Sequence, residues 1–511
     1  MTQSKSEKVV VSAADTSFKL LGKSAITVRF PVLQLKLKRI KKRRIFFNVI
    51  FNIINAKFTQ YLLTFLNICI EVLKFVFPET CTEGSQNKAG IFYMKHYDVI
   101  IIGGGAAGYF AAINIAERNP KLTVVILERG KEGLTKVRVS GGGRCNVTHA
   151  EFIPSELIRN YPRGKKELLG PFHTFMTGDT MEWFEKRGIE LKIEEDGRIF
   201  PVSNSSQTII DCFTNEIKRL GITVLKTHSV KNIVTQNNLW CIETNQNTFV
   251  SEKLLVATGS NIKVWEMLQD LGHKIVNQVP SLFTFNIKDK RIKSIPGVAV
   301  KNVQVKVLQD FSPSKGEMSR RDREVNLESE GPLLITHWGM SAPSILKLSA
   351  FGALELATRN YKFKIEINFI QTSFEDCLDI LKEVKQSPVK KTVINSRQFE
   401  LPKRLWQQLV LASNINDEIR WQDLNKNQLE QLSSQLTKAV FKVDGKSTFK
   451  EEFVTAGGID LKEINFKTYE SKLHKNLYFA GEVLNIDAVT GGFNFQNAWT
   501  GAYIVAQHIS K

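Results

Sequence analysis

One eleven-residue stretch narrows the folds open to this chain more than any other. Asp98 to Gly108 reads Asp-Val-Ile-Ile-Ile-Gly-Gly-Gly-Ala-Ala-Gly. An apolar run, Val99 to Ile102, breaks into Gly103-x-Gly105-x-x-Gly108, and a helix-forming segment, Tyr109 to Arg118, follows. A second apolar run, Thr123 to Leu127, closes on Glu128, 20 positions after the last glycine. The glycine pattern alone is common, and fits a turn in any βαβ unit. In the order strand, glycine turn, helix, strand, acid it becomes specific for a dinucleotide. Gly103 permits the tight turn, Gly105 lets backbone approach a pyrophosphate, and Gly108 lets helix and strand pack closely. The helix N-terminus offers free N–H groups to the phosphates, and Glu128 stands where a carboxylate accepts from a ribose hydroxyl.

A chain of 511 residues with 42% hydrophobic content is long enough for two or three domains with large cores. No repeat of 20–50 residues is present. The cysteines, Cys69, Cys81, Cys145, Cys212, Cys241 and Cys377, show no CxxC spacing, which argues against zinc and any other metal. A disulfide framework is not expected in so long a chain, so a reducing compartment, the cytoplasm, is the expectation. The formal charge is +19. Residues 1–93 hold 15 Lys and Arg against 5 Asp and Glu, so about half of the excess lies in that segment. The body is mildly basic, which favours anionic substrates, and it lacks the aromatic-basic interleaving that would point to nucleic acid.

Residues 1–93 differ from the rest. Lys36 to Arg44 is strongly basic, and an apolar stretch rich in Phe, Ile and Asn follows. Its longest uncharged piece, Phe58 to Ile70, has 13 residues, short of the roughly 20 needed to span a bilayer. Met94, four residues before Asp98, is expected as a natural or sufficient start. The alternative is a weak membrane anchor, and without one no membrane association is expected.

Ser140-Gly-Gly-Gly-Arg-Cys-Asn146 follows the βαβ unit, and three consecutive glycines cannot hold a regular element. The periodicity then predicts a helix over 180–188, a hairpin over 190–201 turning at Asp196-Gly197, and an amphipathic helix over 208–220 stopped by Gly221. Strands are expected at 224–230, 240–244 and 253–257, the last ending in Ala257-Thr258-Gly259. Residues 280–364 alternate as short strands (282–287, 298–307, 331–336). Residues 373–441 read as helical, with Leu378, Leu381, Leu405, Leu409, Leu429, Leu432 and Leu436 as core positions. A strand at 476–480, the block Gly481-Glu482-Val483, Asp487, Thr490-Gly-Gly492-Phe493-Asn494 and a helix from about Gln496 to Ile509 complete the chain.

Three blocks carry a resemblance: Gly103–Gly108, Ser140–Asn146, and Thr455-Ala-Gly-Gly458 with Gly481-Glu-Val-Leu484 and Thr490-Gly-Gly492. Together they resemble the YhiN/BaiN-like FAD-dependent oxidoreductases, over about residues 94–511. Members include aminoacetone-oxidase-like flavoproteins and a branch that reduces enone groups of bile-acid intermediates. Leu134-Thr-Lys136 departs from the Gly-Arg-Lys of many members. The resemblance implies an α/β fold: a Rossmann-like FAD-binding domain of the two-dinucleotide-binding-domain type over 94–280 and 450–511. A β-rich insertion (281–370) and a helical insertion (371–449) interrupt it.

By position, the resemblance implies that Gly103, Gly105, Ala106, Ala107 and Gly108 hold the pyrophosphate, with Glu128 and Arg129 at the ribose. Lys136, Gly142, Gly143, Arg144, Cys145 and Asn146 would line the stretch toward the flavin. Val230 would meet adenine, and Ala257, Thr258 and Gly259 the diphosphate. Gly481, Glu482 and Asp487 would approach ribityl and phosphate groups. Gly492, Phe493 and Asn494 would open a helix toward the flavin N1 edge. The implied reaction is hydride transfer at flavin N5, with transient NAD(P)H, on a small organic substrate. No second fingerprint and no CxxxxC pair are present. Cys145 and His337 are candidate proton-transfer residues, with His173 behind them. Packing is the simpler role for Cys145, and Glu194 and Glu195 are expected in solvent. The alternative function is an RNA-modification accessory protein with structural FAD.

Overall fold

The computed structural model describes residues 95–308, 327–388, 391–447 and 454–511. The expectations for residues 1–93 lie outside the described residues. Among those described, no helix is long and apolar enough to cross a membrane.

The opening motif forms β1 (Lys95–Ile102), α1 (Ala106–Arg118) and β2 (Val124–Leu127). They are followed, in order along the chain, by β3 (Thr223–Leu225), β4 (Thr248–Val256), β5 (Leu477–Phe479) and α2 (Phe493–Ile509). The five strands pair in parallel, in the order β3-β2-β1-β4-β5. β2 and the second half of β1 are wholly buried, which is why they read as continuous apolar runs rather than as alternation. Registers of Ile102 against Leu127, Ile102 against Val256 and Phe479 against Val256 bring four strands to an end at one edge.

α1 and α2 pack against each other, and both bury small residues, Ala111, Ala112, Ala498 and Ala502 among them. Phe110 contacts Trp183 and Trp499 at centroid distances of 4.5 and 5.2 Å in this core. α2 begins three residues before its expected start, because Gly492 takes a φ of +95° and acts as its N-cap. The expected 224–230 strand is broken. The chain leaves the sheet after Leu225 with Thr227 at a φ of +60°, and a separate strand, Val230–Gln236, follows. In that break the Thr227 and His228 amides donate to Gly130 and Glu128 carbonyls. The segment Thr135–Gly143 begins with a helical turn that was not foreseen, and unwinds at Ser140–Gly142 as the glycine run requires.

Two antiparallel strands, Ile275–Pro280 and Thr455–Ile459, lead into and out of the inserted segment. There a second sheet of seven short antiparallel strands includes Ala299–Leu308, Glu328–Ile335, Lys362–Asn368 and Ala439–Asp444. On Ala299–Leu308, Val300, Val303, Val305 and Val307 are buried while Lys301, Gln304 and Lys306 are exposed, the alternation of a sheet with one covered face. Helices Phe374–Gln386, Lys403–Ala412 and Lys426–Thr437 contribute to the same core through Leu381, Leu405, Leu409, Leu432 and Leu436. The β-rich and helical segments, read as two insertions, therefore share a single hydrophobic core.

His273 ties the start of this linker to the C-terminal segment. Its buried ring lies 2.8 Å from Glu463 Oε2 through Nδ1 and 3.1 Å from Ser471 Oγ through Nε2. Burial holds the imidazole below its ordinary value, against the opposing pull of Glu463. The unfolded chain then takes up a proton near pH 6.5 that the folded chain refuses, so stability is present above that value and lost as pH falls through and below it. Melting temperatures between about pH 7.5 and 5 should fall on acidification, and His273→Gln should flatten that slope.

Candidate functional site

The aligned strand ends create a groove at the sheet edge. Gly103 leaves β1 at a φ of +112°, and a Cβ there would stand 2.5 Å from the Ala257 carbonyl, so only glycine fits between the turns after β1 and β4. A Cβ on Gly108 would collide with the Gly103 carbonyl, the close packing that this glycine serves. Gly105 differs: a Cβ there would meet nothing within 4 Å. It is the N-cap of α1 and provides no side-chain cap, so open space faces the helix N-terminus.

Glu128 accepts from the Gly104 amide (2.8 Å) through Oε2 and from the Gly130 amide (2.6 Å) through Oε1. Each carboxylate oxygen keeps a further lone pair for a ribose hydroxyl. Lys136 and Glu482 form an ion pair at 2.5 Å beside Gly259, where a Cβ would lie 3.6 Å from Glu482 Oε2. A Cβ on Gly481 would lie 3.5 Å from Ala107 Cβ, on the first turn of α1. Residues from the turns after β1, β2, β4 and β5 thus meet along one groove.

A second convergence joins the glycine-rich loop to α2. A Cβ on Gly492 would stand 2.6 Å from the Thr148 carbonyl oxygen and 2.9 Å from Asn146 Oδ1. The α2 N-terminus has no side-chain cap. Asn146 Oδ1 is buried without a partner, as are both side-chain polar atoms of Asn497 in the second turn of α2. His149, absent from the expected residues, donates through Nδ1 to the Gly491 carbonyl (3.0 Å) and lies 4.5 Å from the Phe493 ring. Its signal was its place three residues after Asn146.

The groove fits a dinucleotide: an uncapped helix N-terminus faces open space, a carboxylate follows β2, and buried polar atoms lack partners near the second helix start. The remaining expected residues are placed as follows. Arg144 stacks 3.8 Å from the Phe200 ring and pairs with Glu194 at 2.6 Å, so Glu194 is engaged rather than solvated. Arg129 is exposed, and Val230 is half-buried at the start of its strand. Phe493 is buried, and the Asn494 side chain brackets the Ala488 backbone. Asp487 is fully buried and paired with Arg163.

Cys145 is buried, and burial pushes its thiol up to about 12, which disfavours the thiolate at neutral pH and accords with a packing role. His337 lies exposed in the turn between Glu328–Ile335 and Gly339–Ser341, and His173 is exposed at a helix end. The geometry brings neither into the groove contacts. Among the described residues no cluster suits a metal ion.

A family profile described as HI0933-like protein Rossmann domain matches residues 97–508. The ribosomal RNA dihydrouridine synthase of Escherichia coli (strain K12) is 28% identical over 419 residues, covering 81% of this chain and 98% of that protein. The 3-dehydro-bile acid delta(4,6)-reductase of Clostridium scindens is 24% identical over 418 residues, covering 80% and 97%. A solved 3-ketosteroid-delta4-(5alpha)-dehydrogenase from Rhodococcus jostii RHA1 is 11% identical, covers 82% of this chain and 97% of that one, and has a TM-score of 0.43.

Two glycines separate packing from binding. Gly108→Ala should lower the melting temperature even without FAD, at a cost of about 1–3 kcal/mol, because the methyl meets backbone. Gly105→Ala should leave the FAD-free melting temperature unchanged and weaken FAD uptake, because its methyl occupies only the open space. Equal melting losses in the two variants would show that Gly105 is a packing residue.

Proposed function

The chain belongs to the HI0933-like Rossmann family of FAD-dependent oxidoreductases, and from that premise we propose that it is a reductase that adds hydrogen across a ring carbon–carbon double bond conjugated to a carbonyl. The observation that carries the FAD part of this reading is the groove itself, with its uncapped α1 N-terminus and the unpartnered Asn146 and Asn497 near α2. A buried polar atom without a partner costs roughly 1–3 kcal/mol, a cost that a bound ring with its own donors and acceptors removes.

Bound FAD would supply a two-electron hydride carrier. The protein's own residues hold and tune it. The first turn of α1 takes the pyrophosphate, and Glu128 the ribose. Lys136 would offset the diphosphate charge, and Glu482, with which it pairs here, would accept from ribityl hydroxyls. The N-terminus of α2 places positive dipole where negative charge develops, and the buried setting strengthens that field. His149 is the imidazole in contact with this helix start, through the Gly491 carbonyl and the Phe493 ring. NAD(P)H is the proposed electron source, binding transiently.

The choice of double bond rests on the relatives. A dihydrouridine synthase and a Δ4,6-reductase of a 3-dehydro bile acid both, by name, saturate a ring double bond conjugated to a carbonyl. A uracil ring in RNA and a free cyclic enone are thus two substrates of one chemistry, and RNA stands beside a small molecule as a proposed partner.

Anaerobic protein loaded with FAD should lose its oxidised-flavin absorbance with NADH or NADPH. It should regain it on adding a cyclic enone or ribosomal RNA lacking dihydrouridine, with two hydrogens gained by the product in mass spectrometry. Bleaching by neither nucleotide would remove NAD(P)H. Bleaching without reoxidation by either acceptor would remove the double-bond reading and favour the structural-FAD alternative. Protein that takes up no FAD would defeat both.

A further inference from the structure

Residues 160–164 stand outside every binding motif, yet they grip the loop that leads into α2. The Asn160 carbonyl accepts from the Val489 amide at 3.0 Å. The Tyr161 hydroxyl donates to the Phe493 carbonyl at 2.6 Å. Gly164 lies so close to Ile486 that a Cβ there would stand 2.7 Å from its side chain. Arg163 and Asp487 form a backbone bridge, and their side chains pair as a fork, Nε on Oδ1 and Nη2 on Oδ2. All four contacts fall within Ile486–Phe493.

Arg163 also reaches the other way. Nη1 donates to the Ala350 carbonyl (2.6 Å) in the helix Pro343–Phe351 of the inserted segment. Nη2 donates to Ser281 Oγ (2.9 Å), one residue beyond the linker strand Ile275–Pro280, and Ser281 Oγ donates on to Asp487. The Arg163 side chain is 10% exposed and Asp487 is 0% exposed. A carboxylate so deeply buried needs its counter-charge, and a planar guanidinium with several fixed donors can hold three segments at once where an ammonium cannot.

We propose that Arg163 is a positioning residue that couples the seating of the inserted segment to the order of the loop Asp487–Asn494. The inference rests on the reading that this loop faces FAD. If Ala350 or Ser281 moves, the fork loses donors' partners on one side and releases the loop on the other. The inserted segment and the cofactor loop therefore adopt their working arrangement together.

The test uses the full chain. Arg163→Met removes the fork, Arg163→Lys keeps the charge alone, and Leu432→Ala lowers stability in the second core without touching the loop. FAD titrations at a temperature where all are folded should weaken about tenfold for Arg163→Met, less for Arg163→Lys, and within about twofold for Leu432→Ala. Amide hydrogen exchange of FAD-free protein should rise over residues 486–494 and 343–351 together in Arg163→Met, and leave 486–494 unchanged in Leu432→Ala. Exchange that rises in one stretch alone, or FAD affinity equal to wild type in Arg163→Met, overturns the coupling. Wild-type protein that binds no FAD while exchange changes as expected refutes the FAD reading and supports the coupling. Should Arg163→Met fail to fold, Asp487→Asn carries both measurements with the same expected outcomes.

Discussion

The in-register ending of four parallel strands is the constraint on which the rest depends. Because Ile102, Leu127, Val256 and Phe479 reach one edge together, the turns that follow them have no choice but to share a groove. Gly103 and Ala257 then come so close that no side chain fits between them, and Glu128 folds back onto the Gly104 amide. The polar character of the groove follows from the helix start left open between these turns. No single residue makes the site. Strand pairing does, and the glycines keep side chains out of its way.

The parts legible in the sequence were those whose physics is local. The βαβ unit, the hairpin over 190–201 and the amphipathic helix before Gly221 each follow from periodicity and turn chemistry within about thirty residues, and each is found. The edges that shifted did so for non-local reasons. Thr227 breaks a strand to bond across to Gly130, and α2 starts early because Gly492 is pressed against Thr148. The single core shared by the β and helical segments was hidden for the same cause: the leucines of 373–441 show that a face is buried, not against what.

The expected site residues divide along the same line. Glycines that must approach a neighbour announce themselves, because few other pressures place them in such runs. Charged residues do not. Arg144 and Asp487 read as ligand contacts from their motifs, yet one is held by Glu194 and Phe200 and the other by Arg163. Arg163 itself lay in a stretch without pattern, since its partners come from positions 281, 350 and 487. A contact drawn from such distant segments leaves no spacing to read.

The position of β5 and α2 in the chain has a consequence for how the protein is made. The first core needs both, since α2 lies along α1 and β5 pairs with β4. Residues 281–453, with a core of their own, are synthesised in between. During translation β1, α1, β2 and β4 must therefore wait with an open flank while a whole second core is produced and can fold ahead of them. Contacts of such sequence separation are slow to form, and a nascent chain in this state exposes apolar strand edge. The groove for the dinucleotide is thus a late feature, completed only when α2 leaves the ribosome.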